Sequence, residues 1–192
     1  MFFDRCQTES KKLINKVIYT ISSFFNSEPD YTLPHGILYK RILKSSYDKF
    51  FYVDLKVPDT IDGRFDIIIL HIFVFIKIFE NSGESEKIFT QKLFDIFMIE
   101  VESSYREMGI SDQSFGKKMK IVIESFYGRT KMYDQSFNNE EKFCECLIRN
   151  IWSNNNKMSN ESKKLYHFVL QKVNKYSDKS LDDILLISSN KF

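Results

Sequence analysis

The chain contains no alanine, only three cysteines, three prolines, three histidines and one tryptophan, and six scattered glycines. Each shortage excludes something. Without alanine the intrinsic helix propensity is low, so any helices must be held by packing rather than by local preference. The glycines form no phosphate-cradling loop. Cys6, Cys144 and Cys146 offer no pair at zinc-finger spacing, and Cys144 and Cys146 point about 200° apart on a helix. They read as free thiols of a reducing compartment. His35, His71 and His167 have no nucleophile or carboxylate partner nearby in sequence, and no Glu-x-x-His pattern occurs. Neither a catalytic set, a cofactor nor a metal site is expected.

Charge of one sign is also missing. Twenty-eight Lys and Arg face 26 Asp and Glu, a net of +2, which alone argues neither for nor against nucleic acid. The N-terminus lacks the apolar run of a signal peptide, with Lys11, Lys12 and Lys16 soon after the start. The strongest apolar run, Ile67 to Phe79, includes His71 and Lys77 and is shorter than the roughly 20 residues a bilayer crossing needs. It reads as a helix buried on most sides, with an in-plane membrane contact as the alternative. The expected location is cytoplasmic.

Abundant Phe, Lys, Ile and Asn reflect AT-rich codons. The 19 phenylalanines are therefore core filler rather than a special aromatic site. Hydrophobic residues make up 43%, enough for one packed domain. Helical spacing recurs throughout. Leu13 to Phe25 predicts a first helix, and the Pro29-Pro34-Gly36 stretch a loop. Further helices are expected at about 37–44, from Asp59 or Thr60 to Glu80, at 84–108, from 112 to about 133, from Asn138 to Trp152, and at 160–176. Gly109 suits a helix C′ position, and Ser180 with Asp183 a terminal cap. No run alternates with period two. The fold class is all-α, a helical bundle of about six to eight helices. Ile68, Ile72, Phe75, Ile76, Phe94, Phe97, Met98, Ile123, Phe126 and Leu147 are the expected core.

Two charged surfaces stand out. Residues 77–108 are net acidic, a solvated face or a dock for a basic partner. Over 116–131, Lys117, Lys118, Lys120, Arg129 and Lys131 meet only Glu124. That stripe suits either an ordinary solvated helix face or contact with RNA or anionic lipid.

The segment Val57–Pro58–Asp59–Thr60–Ile61–Asp62–Gly63–Arg64–Phe65–Asp66, followed by Leu70–His71, resembles the signature of the ubiquinol–cytochrome c chaperone family. Three further blocks agree in order and spacing over about 36–152. They are Leu93–Phe94–Asp95 with Arg106–Glu107–Met108–Gly109, then Phe126–Tyr127–Gly128–Arg129 with Tyr133–Asp134, then Arg149–Asn150. The chain has Glu100–Val101–Glu102 where the family tends to Asp-Met-Asp, Tyr105 for a Leu, and Ser111–Asp112 for Gly-Asp. The resemblance divides the chain into an N-terminal helix and loop (1–35), a chaperone-like helical domain (36–152) and a C-terminal helical tail (153–192).

The family is helical and not known for catalysis. Its mitochondrial members assist cytochrome b biogenesis with a small partner protein near the ribosome. The resemblance implies an assembly chaperone, not an enzyme. Its clients would be cytochrome b or another subunit of the reductase complex, with a small partner protein, the ribosome and the membrane surface as further contacts, and no DNA. Two other classes stay open: a ribosome- or RNA-associated module using 116–131, and a lipid or small-molecule enzyme using His71. A chaperone for a membrane-protein client needs an apolar groove with a charged rim. The groove is expected along 65–80 and 84–108. Its expected partner-binding residues are Asp59, Asp62, Arg64, Asp66, His71, Arg106, Glu107, Arg129, Tyr133 and Arg149. The three arginines of the later blocks are expected to converge on one carboxylate-lined site.

Overall fold

The computed structural model describes residues 29–186. The helix expected at 13–25, and Cys6, lie outside the described residues. Seven α-helices follow in order: α1 (Pro34–Ser46), α2 (Ile61–Ile78), α3 (Glu84–Glu107), α4 (Asp112–Ser136), α5 (Glu140–Ile151), α6 (Ser159–Tyr176) and α7 (Leu181–Leu186). A π-helical turn, Phe50–Asp54, joins α1 to α2, and a 3-10 turn, Asn156–Met158, precedes α6. No strand occurs among the described residues. The expected all-α bundle is what forms.

α2 is the axis. Twelve of its 18 residues are buried, and α1, α3, α4, α5 and α6 all pack on it. That explains why its sequence is apolar on nearly every side. Its start is fixed by Thr60, whose hydroxyl accepts the Gly63 N–H at 3.1 Å. Gly63 is there because the chain folds back tightly: a Cβ would land on the Pro58 carbonyl oxygen. Proline at 58 and glycine at 63 are thus two halves of one turn.

Large aromatics do what alanine and leucine do in other bundles. Phe73 of α2, Tyr133 of α4 and Phe143 of α5 meet with ring centroids 5.2–6.1 Å apart, and Tyr166 of α6 joins at 5.3 Å. Nine of the ten expected core residues are buried; Ile68 is only partly so.

The boundaries differ from expectation in three places. α1 begins at Pro34 rather than after Gly36, because proline at the first helical position forfeits no hydrogen bond. Asn139, not Asn138, caps α5, its side chain accepting the Lys142 N–H at 3.0 Å. α4 runs through Gly128 to Ser136. Gly109 takes a positive φ of 71° after α3, and Ser180 and Asp183 cap α7 reciprocally. The tail is part of the same core, since Leu165 and Val169 of α6 are fully buried.

Candidate functional site

An open trench of about 500 Å³ runs between α1, α2, α3 and α4. Helical spacing builds it. α3 contributes Phe97, Val101 and Tyr105 at intervals of four, α2 contributes Ile61, Phe65 and Ile68, and α4 contributes Ile121, Ser125 and Arg129. Tyr39, Leu43 and Tyr47 close the α1 side. Phe65 packs on Phe97 at 5.4 Å and Phe97 on Phe126 at 5.6 Å, so the floor is rigid and aromatic.

Its rim is charged. Arg64 donates to Asp59 at 2.7 Å and lies 5.5 Å from the Tyr47 ring centroid. The Arg64 guanidinium holds the Asp59 carboxyl below its ordinary range. Arg129 donates to Asp66 at 2.6 Å, with its guanidinium 5.7 Å from the Phe65 ring. Asp66 is buried. Burial pushes its carboxyl up to about 6, with Arg129 pulling the other way. Asp62, Glu100 and Glu107 line the trench. Burial, reinforced by the neighbouring Glu107 charge, raises Glu100.

The expected site residues therefore separate. Asp62, Arg64, Glu107 and Arg129 line the trench, and Asp59 braces it through Arg64. Asp66, at 2% exposure, stands behind the rim and anchors Arg129. His71 and Tyr133, at 5% and 0%, are core residues rather than rim residues, because both belong to faces enclosed by α5 or α6. Arg106 turns to Glu102 at 2.9 Å and stacks 4.9 Å from Phe115, away from the trench lining. Arg149 is exposed, donating to its neighbour Asn150 at 3.4 Å, while Asn150 donates to the Tyr133 hydroxyl at 3.2 Å. The expected convergence of Arg106, Arg129 and Arg149 on one carboxylate site does not occur. Each arginine faces a different helix surface.

The expected partner-binding residues leave out Ile61, Ile121 and the α1 side, and Glu100 enters only as part of the acidic face over 77–108. Ile61 and Ile121 do carry a signal, as apolar residues on otherwise polar helix faces. Ile68 reads as core from sequence, because a stripe lining an open trench has the same period as a stripe lining an enclosed one.

His71 Nδ1–H donates to the Ile67 carbonyl at 2.8 Å, and Nε2 is buried with no hydrogen-bond partner. Burial pulls its pKa down to about 4. Phe51 and Phe168 enclose the ring at 5.4 and 5.8 Å. A second opening of about 640 Å³ lies outside that cage, between the π-helical turn and α6, lined by Phe50, Lys164 and His167 among others. It gathers none of the signature residues. Among the described residues no cluster of three or more His, Cys, Asp or Glu could hold a metal, and no described helix is long and apolar enough to cross a membrane.

The family model for ubiquinol–cytochrome C chaperone matches residues 53–189. The chain belongs to that family. The matched span starts in the π-helical turn, takes in every helix from α2 to α7, and runs through the tail that lies beyond the motif blocks. A solved structure, the crystal structure of the Cbp3 homolog from Brucella abortus, superposes with a TM-score of 0.70 at 26% identity, covering 96% of this chain and 93% of that one. No curated protein matches.

Proposed function

We propose that this protein is an assembly chaperone for cytochrome b, or another subunit of the ubiquinol–cytochrome c reductase complex, and that it acts by binding rather than catalysis. The observation that carries the reading is the open apolar trench, placed at the family's signature segment and rimmed by Asp62, Arg64, Glu107 and Arg129. An aromatic floor held by ion pairs shields an apolar client segment without enclosing it, so the client can leave. A small partner protein and peripheral contact with the inner membrane belong to the same proposal.

Deletion in the native host, followed by native-gel and haem b measurement of the reductase, tests it. A fall in assembled reductase, with recovery of its subunits on affinity capture of the tagged chain, is expected. Normal reductase after deletion would reject the reading. A second reading, ribosome association, is favoured by one observation: Lys117, Lys118 and Lys120 of α4 are all exposed along one basic stretch. Ribosome binding that falls steeply with salt would support it.

A further inference from the structure

We propose that the trench between α1 and α4 selects a cationic amphipathic helix: a partner segment with one apolar face and lysine or arginine along its borders. This deepens the chaperone reading and rests on it for the identity of the trench.

The lips of the trench are apolar and open. Ile61, Tyr47, Ile121 and Met108 are 66%, 55%, 52% and 48% exposed, and all four line it. Single exposed hydrophobic residues are ordinary, but four around one depression form a patch. Such a patch, on a floor of packed helices, suits the apolar stripe of another helix.

The charges set the sign of that helix. Both arginines of the lining already have carboxylates, Arg64 on Asp59 and Arg129 on Asp66. Asp62, Glu100 and Glu107 have no ion-pair partner among the described residues. Glu100 and Glu107 stand two turns apart on α3, roughly 10 Å along its axis, and their mutual repulsion already raises the Glu100 carboxyl on top of its burial. A nearby cation, Lys118, sits over the Tyr105 ring at 5.9 Å. An anionic occupant would add to the repulsion. A helix with two basic residues about seven apart would relieve it.

The test uses the full chain and two synthetic helices of about 18 residues that share one leucine face. One carries lysines along its borders and the other carries glutamates. Fluorescence anisotropy at about 0.05 M and about 0.3 M salt reads the affinity. The lysine helix is expected to bind about tenfold tighter than the glutamate helix, to lose that margin at high salt, and to bind about tenfold more weakly to E100Q/E107Q. Glu145→Gln, on the exposed face of α5, should leave binding unchanged, and circular dichroism confirms that each variant is folded. Equal binding of both helices, binding of neither, or full affinity in E100Q/E107Q would overturn the proposal. A concentration-dependent dimer abolished by E100Q/E107Q would assign the trench to a second copy and would overturn it too. Failure here with reductase lost on deletion leaves the chaperone reading standing. Charge-selective binding with normal reductase does the reverse.

Discussion

Asp66 and Arg129 are 63 residues apart in sequence and 2.6 Å apart in the structure. Removing the arginine strands a buried carboxylate. Arg129→Met should therefore cost about 3–5 kcal/mol at neutral pH. The loss should shrink at pH 5, where Asp66, its pKa raised further, is neutral; thermal melts at both pH values check this. Asp66 and His71 also oppose each other in acid. The Asp66 carboxyl lies near 6 in the folded state against an ordinary 3.8, so the folded state holds the extra proton and stability falls as pH rises through that window. His71 lies near 4 against an ordinary 6.5, so the unfolded state holds the proton and stability rises with pH from about 4 to 6.5. Each contribution is about 3 kcal/mol across its window. Stability of the wild type should vary little between pH 4 and 6 on their account. His71→Leu should expose the falling slope and Asp66→Asn the rising one, read from denaturant midpoints across that range.

At the scale of elements, two glycines of the signature blocks play opposite parts. Gly63→Ala would press a methyl group onto the Pro58 backbone. The expected loss is at the upper end of the ~1–3 kcal/mol that overpacking costs, because backbone yields less than a side chain. Gly128 has nothing within 4 Å of its notional Cβ and lies mid-helix in α4. Gly128→Ala should stabilise by about 0.5–1 kcal/mol, and urea titration of the two variants decides between these signs. The helices themselves are legible in the sequence because the apolar periodicity is long and the punctuation local: Thr60, Gly83, Gly109 and Ser180 each mark an end that forms. The site is half legible. Asp62, Arg64, Glu107 and Arg129 stand out because charges beside an apolar helix need a reason. Tyr133 is enclosed rather than on the rim, because a polar atom in a motif carries no sign of its depth, whereas the buried, hydrogen-bonded place of His71 follows from the apolar helix around it. The π-helical turn at Phe50–Asp54 has no signal beyond its aromatics, because its i→i+5 bonds, such as Leu55 N–H to the Phe50 carbonyl at 3.0 Å, depend on tertiary packing.

On the scale of the molecule, α6 matters as much as the signature. It packs on α2 and α5 and buries Leu165, Val169 and Tyr176. A chain ending at residue 152 would leave one flank of α2 bare, and we expect it to lose its cooperative thermal transition, as differential scanning calorimetry would show. The trench lies on the α1–α4 side of the same axis, so the proposed client would contact α2 from a different side than the tail helix. Trp152, the only tryptophan, joins these regions: it ends α5, is 6% exposed, and its Nε1–H donates to the Lys56 carbonyl at 3.1 Å, just after the π-helical turn. The molecule thus carries its single tryptophan, selectively excited at the red edge of protein absorption, at the seam between its signature segment and its C-terminal helices. Its emission should be blue-shifted in the folded state and move to the red when that seam opens, so detachment of the 50–60 segment can be timed optically without a label.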